Sequence, residues 1–210
     1  MTIWNRVIAT LGIVVLFSSI SLAHPVIWKG GSSNLLHVDT ATIHAQSLYS
    51  VDYDWAVGVH HLRFRELGLS YTLAQSNYLL KRWNGTGSQG NFYVLSGAGL
   101  AHQDENTDTL LHFGAQADWE TRRYYTLFRA EYYGLDQAQW TLRGRLGIAP
   151  YIADFDGLHT WLMLQVDDTI VAGEHKTTVM PVLRVFQDTI LVEIGSDFSG
   201  TSMLSVMLHF

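Results

Sequence analysis

Polar and apolar residues exchange places at every second position through most of this chain, and many of the polar positions carry full charges. Strict period-2 alternation is the mark of β-strands with two unlike faces. The clearest stretch is Trp140 to Ile148. There Trp140, Leu142, Gly144, Leu146 and Ile148 share one face, and Thr141, Arg143, Arg145 and Gly147 share the other. From Leu110 to Glu120, Leu111, Phe113, Ala115, Ala117 and Trp119 oppose His112, Gln116, Asp118 and Glu120. Between Tyr124 and Tyr132 the even positions are Tyr124, Thr126, Phe128, Ala130 and Tyr132, and the odd ones include Arg129 and Glu131. Thr160, Leu162, Leu164 and Val166 oppose His159, Gln165 and Asp167. Two arginines on one strand face do not suit a dry core. Either the charged faces meet water outside a soluble barrel or sandwich, or they line a barrel whose apolar face meets lipid. Alternation alone leaves both open.

Turn-forming residues between these stretches divide the chain into about twelve strands, at 31-39, 41-50, 53-65, 68-82, 89-103, 109-120, 123-133, 139-150, 158-168, 176-186, 188-196 and 201-210. Most are near ten residues long, enough to cross a bilayer at a tilt of about 45°. An even count suits a single-chain bacterial barrel. Trp119, Trp140, Tyr124 and Tyr132 fall near strand ends on the apolar faces, where an interfacial aromatic belt would put them. The expected fold is therefore all-β, a transmembrane antiparallel β-barrel of about twelve strands. With the N-terminus in the periplasm, the outward connections are short.

The first residues read as an address. A short start bearing Arg6 leads into the apolar stretch Ile8 to Phe17, and Ser21-Leu22-Ala23 presents small residues where a signal peptidase reads. The apolar run is short for a membrane anchor, which needs roughly 20 residues. Residues 1-23 are thus expected to be a cleaved signal peptide, and 24-210 the barrel. No Cys is present, so no disulfide braces the exported chain.

The chain ends Met203-Leu204-Ser205-Val206-Met207-Leu208-His209-Phe210, with Leu204, Val206, Leu208 and Phe210 on one face. A last strand ending in Phe resembles the insertion signature of Gram-negative outer-membrane barrels, which assigns that role to Phe210. Four further stretches are Leu79-Leu80-Lys81-Arg82-Trp83-Asn84, Ala117-Asp118-Trp119-Glu120, Gly147-Ile148-Ala149-Pro150-Tyr151 and Leu158-His159-Thr160-Trp161-Leu162-Met163. With these the chain resembles a family of uncharacterised proteobacterial outer-membrane β-barrel proteins over most of its length. The resemblance implies location in the outer membrane of a Gram-negative bacterium. It also implies outer-membrane lipids as surroundings and the barrel-assembly machinery as a partner during biogenesis. It supplies no substrate and no catalytic residue.

Charge on the polar faces gives the site candidates. Asp118 and Glu120 share one strand, Arg129 and Glu131 the next, and Arg143 and Arg145 the one after, while Arg184 and Glu193 face each other across a turn at 187-189. Such groups come within pairing range on adjacent strands. They form either an ion-pair network that stiffens and fills the lumen, or a charged constriction that selects a small polar solute. The N-terminal segment, His24 to Gly31, lies either in the lumen or on the periplasmic rim.

Other chemistry is weakly marked. The chain has 13 Lys plus Arg against 19 Asp plus Glu, the wrong balance for a nucleic-acid surface. Ten His are present, but no HxH or HExxH spacing occurs, and His60 and His61 point to opposite faces of a regular strand. A processed His24 offers an amine and an imidazole for Cu(II) or Ni(II), and Asp154 and Asp156 make a polar turn that solvent satisfies. No metal site and no cofactor is expected. Ser96, Ser205, His112 and His159 show no spacing that singles out a triad, so no catalytic residue is assigned. The functional expectation is a narrow passive channel for small polar solutes or a structural envelope protein. The alternatives are an outer-membrane enzyme acting on lipid or lipopolysaccharide, and a soluble periplasmic β-barrel that binds a ligand.

Overall fold

The computed structural model describes residues 24-134, 138-154 and 156-210. The expected signal peptide lies outside these. Twelve strands succeed one another in chain order: β1 (Ser32–Asp39), β2 (Thr42–Ser50), β3 (Trp55–Phe64), β4 (Leu69–Gly85), β5 (Ser88–Gln103), β6 (Asn106–Thr121), β7 (Tyr124–Gly134), β8 (Gln139–Ile148), β9 (His159–Val171), β10 (Glu174–Gln187), β11 (Ile190–Ser196) and β12 (Ser202–His209). Each pairs antiparallel with its neighbour in sequence, and β12 returns to β1, so the sheet closes into a barrel. The expected class and strand number agree with this architecture. Closure leaves no edge strand, which is what lets a sheet stand in lipid.

Tight turns set the registers. Val171 pairs with Glu174, so Ala172 and Gly173 alone join β9 to β10, at φ 51° and 84°. Two left-handed residues in a two-residue loop match the right-handed twist of a hairpin. The sequence pattern ends these strands at 168 and 176 and leaves 169-175 as their connection. Cross-strand partners hold this stretch in the ladder instead: Thr177 Oγ1 and His175 Nδ1 each lie 2.8 Å from Asp168. In β4 a bulge between Leu79 and Lys81 shifts the alternation by one residue. Arg82 then faces Asn91, and its Nε donates to Asn91 Oδ1 at 2.7 Å.

The outward face is apolar. Val59, Leu80, Leu111, Phe113, Phe128, Leu146, Leu164, Ile194 and Leu204 all stand exposed on it. Aromatic residues gather toward the rim that carries both termini, including Tyr49, Trp55, Trp83, Trp119, Tyr124 and Phe210. Trp83, Gly90 and Trp119 occupy one register row, and the position of a Cβ on Gly90 would lie 3.6 Å from both indoles. The inward face holds the buried polar and charged side chains together with apolar packing, such as Tyr125, Trp161, Met163, Met180, Val182 and Met203.

The segment before β1 turns into the terminal end of the lumen. Val26 packs among Leu48, Ala56, Leu79 and Tyr93. Ile27 N donates to Ser50 Oγ at 3.0 Å, Gly30 N to Ser50 O at 2.8 Å, and Asn77 Nδ2 to Pro25 O at 3.3 Å. Of the two placements open from the sequence, the structure has the lumen.

Candidate functional site

The eight charged residues singled out from the sequence all point into the barrel, but they divide into three groups. The largest runs across β8 to β11. Arg143 Nε meets Asp167 Oδ1 at 2.6 Å, and Arg145 Nε meets Gln165 Oε1 at 2.6 Å. Arg145 Nη1 and Nη2 then reach the two oxygens of Glu193 at 2.9 and 3.2 Å, a forked contact. Glu193 also accepts from Arg184 Nε at 2.7 Å, and the Arg184 guanidinium lies 4.8 Å from the centre of the Tyr125 ring. Arg184 is buried to 1 % exposure. An arginine so buried is tolerable only because its charge is matched.

The second group lies on β6 and β7. Glu131 accepts from Arg129 Nη2 at 2.8 Å and sits 2.9 Å from His112 Nε2. Arg129 therefore pairs along its own strand. In the register Arg129 stands opposite Gln116, and Asp118 opposite Leu127, so Arg129 meets neither Asp118 nor Glu120. The third group is Asp118 and Glu120. Asp118 accepts from Asn91 at 2.7 Å and Gln116 at 3.0 Å, and both carboxylates lie 3.8 Å from the His24 ring. Phe210 has no part in the lumen. Its side chain is exposed on the outer face, and its backbone bonds Ser32 in both directions.

Sequence reasoning missed the imidazoles. His37, His44, His60 and His112 form a chain of ring contacts, with centroids 6.5, 4.3 and 6.2 Å apart. Their inward parity was legible, but the contact of His60 on β3 with His112 on β6 joins strands that are not neighbours in the sheet, which no local pattern encodes. Asp167, the partner of Arg143, also required the register of β8 on β9. Among the described residues no three metal-ligating side chains converge on one point.

One constellation resembles a hydrolytic triad. His37 Nδ1 lies 2.6 Å from Ser205 Oγ, and His37 Nε2 lies 3.3 Å from Asp39 Oδ2. The order nucleophile, base, carboxylate is that of acyl-transfer enzymes. Two features oppose the reading. Ser205 lies inside a continuous strand pairing, with Glu193 on one side and His37 on the other, so nearby amides serve the ladder and offer no oxyanion hole. Asp39 is also occupied by Thr42 Oγ1 at 2.6 Å and Ala41 N at 2.7 Å, which caps the β1–β2 turn.

Several contacts cross the lumen as chords between strands that are not neighbours: Arg145 to Glu193, Arg184 to Tyr125, His60 to His112, and Tyr71 Oη to Gln139 Oε1 at 3.3 Å. Tyr71, Leu73, Tyr93, Leu95, Leu110 and His112 are all 0 % exposed. At these levels side chains fill the barrel.

No protein-family model matches the chain, and no curated protein matches it. Solved structures do. A KdgM porin in complex with disordered oligogalacturonate superposes with a TM-score of 0.53 at 10 % identity, covering 86 % of this chain and 98 % of that one. The chain is thus similar in architecture to a porin barrel over most of its length, and the likeness is one of fold. OccK11 (OpdR) of Pseudomonas aeruginosa gives a TM-score of 0.45 at 11 % identity, covering 91 % of this chain and 68 % of that one.

Proposed function

We propose that this chain is an outer-membrane β-barrel whose lumen is a narrow passage for small polar solutes, closed in the described conformation by its own side chains and N-terminal segment. One observation carries the reading: the outer face is apolar while the ion pairs are inside. A soluble barrel has the opposite polarity, because water must wet its outside and apolar residues fill its core. Porin-like architecture supports the same reading. The matched arginines argue against a track for polyanions, since Arg143, Arg145, Arg184 and Arg129 each already hold a carboxylate. A small neutral or zwitterionic polar solute fits such a lining better. The chords across the lumen favour a second reading, a solid barrel that serves the envelope structurally.

Planar-bilayer conductance separates the two. The refolded barrel is compared with a variant lacking His24 to Lys29, with heat-modifiable gel migration as the folding control for both. Discrete steps that grow or become more frequent in the deletion variant support a passage closed by the segment. Two folded proteins that never conduct would mean a structural barrel.

A further inference from the structure

Asp118 and Glu120 differ from every other carboxylate that is part of the buried charge groups in the lumen. Glu131 has Arg129, Asp167 has Arg143, and Glu193 has both Arg145 and Arg184. Among the described residues, no Lys or Arg forms an ion pair with Asp118 or Glu120. Their one ion-pair partner is the imidazole of His24, 3.8 Å from each, and Arg82 stands one hydrogen bond further off, through Asn91. Both carboxylates are buried, and a buried charge without a counter-charge costs several kcal/mol. One imidazolium supplies one charge for two carboxylates. Glu120 Oε2 and His24 Nε2 are moreover buried without a hydrogen-bond partner. The site is short of one positive charge and at least one donor.

His24 is held in place through its chain neighbours Pro25, Val26 and Ile27. Val26 is 1 % exposed, Pro25 O accepts from Asn77, and Ile27 N is bonded to Ser50. Those contacts fix the residue that the small-residue pattern at Ser21-Leu22-Ala23 marks as the first after cleavage.

We propose that hydrolysis of the Ala23–His24 peptide bond supplies the missing charge: the new α-ammonium of His24 docks at Asp118 and Glu120 and locks the N-terminal segment into the lumen. The hydrolysis consumes one water and leaves a carboxylate on Ala23 and an ammonium on His24. Ammonium and imidazolium together then match two carboxylates. An uncut chain has a neutral, single-donor amide at the same place. Maturation and closure of the lumen are therefore one event: the barrel is sealed by a group that exists only after export.

The test uses mature protein purified from the membranes of a bacterium that produces it. Intact mass gives the first residue. N-acetylation with an activated ester, read by mass spectrometry of the N-terminal peptide, gives the reactivity of the α-amine. Lys29, with its side chain 54 % exposed, is the internal control. The expected result is a chain that begins at His24, whose α-amine reacts at least about tenfold more slowly in the folded barrel than in the unfolded chain, because reaction must wait for local opening. Asp118→Asn with Glu120→Gln restores fast reaction. Should that double variant fail to fold, Glu120→Gln alone, and a refolded form with two alanines added before His24, are compared by heat-modifiable migration, and both lose thermal stability. A different first residue, or an α-amine that reacts equally fast in folded and unfolded protein, overturns the proposal. None of these readouts depends on conductance, so this proposal and the passage reading fail separately.

Discussion

Two buried lumen residues show how differently a polar side chain can be tied down. Arg184 is held by Glu193 and the Tyr125 ring, whereas His60 has Gln75 beside it but neither ring nitrogen within 3.5 Å hydrogen-bond distance of a partner. Removing one member of a buried ion pair strands the other. Arg184→Met should therefore destabilise the barrel by about 3–5 kcal/mol. Replacing an unpartnered polar group with an apolar one of similar size removes a desolvation penalty, so His60→Leu should be neutral or stabilising. Urea-induced unfolding in lipid vesicles measures both, and a His60→Leu variant as unstable as Arg184→Met would refute the assignment. Ser205 yields a sharper test at the same scale. A fluorophosphonate probe should leave it unlabelled in the folded protein, because the Ser205–His37–Asp39 alignment lacks an oxyanion hole. Stoichiometric labelling at Ser205 would instead mark an enzyme.

At the scale of elements, turn and segment chemistry set the stability. Ala172 holds φ 51° in the β9–β10 turn, where a Cβ is strained. Ala172→Gly or Ala172→Asn should stabilise the hairpin by about 0.5–1 kcal/mol, read by the same unfolding assay. The N-terminal segment has a pH dependence of known sign. Burial pulls the His24 pKa down, but Asp118 and Glu120 more than offset this and raise it to about 9. Tyr93 and His209 lie beside the His24 and Trp28 rings, and Lys29 of the segment pairs with Asp52 at 3.4 Å. A group whose folded pKa exceeds its unfolded value of about 6.5 stabilises fully below that value and loses its contribution as pH rises through the folded one. The segment should hold at neutral pH and detach above about pH 9, with a change in Trp28 fluorescence. No change between about pH 7 and 10 would count against it. Strand faces were legible from period 2 alone, as Trp140 to Ile148 shows. Partners were not, because register depends on turn length and bulges: Arg143 could be seen to point inward, but its meeting with Asp167 emerges only once β8 is aligned on β9.

For the whole molecule, the polarity of the two faces separates a lipid-embedded barrel from a soluble one. Leu164 is 48 % exposed midway along β9 on the outer face. In lipid, Leu164→Arg should cost about 2–4 kcal/mol, as charges near the bilayer midplane do. On a water-facing surface it would cost almost nothing, so a folded, unperturbed Leu164→Arg protein would argue for the soluble alternative. Alternation alone left open which face points outward, but closure and strand number were within reach of the sequence, since twelve alternating segments admit few architectures. The filling of the lumen was not. It rests on chords such as His60 to His112 and Arg145 to Glu193, which join residues whose neighbourhood no local pattern encodes.

The seam where β12 meets β1 has a temporal consequence. Ser32 and Phe210 exchange backbone hydrogen bonds, and His37 touches Ser205 across 168 positions of chain. These are among the longest-range contacts the sequence can make, and contacts of that kind form slowly. Until β12 is made and delivered, β1 is an open edge, ready to pair with any passing strand. A chain without β12 would remain an unsealed ribbon rather than a slightly smaller barrel.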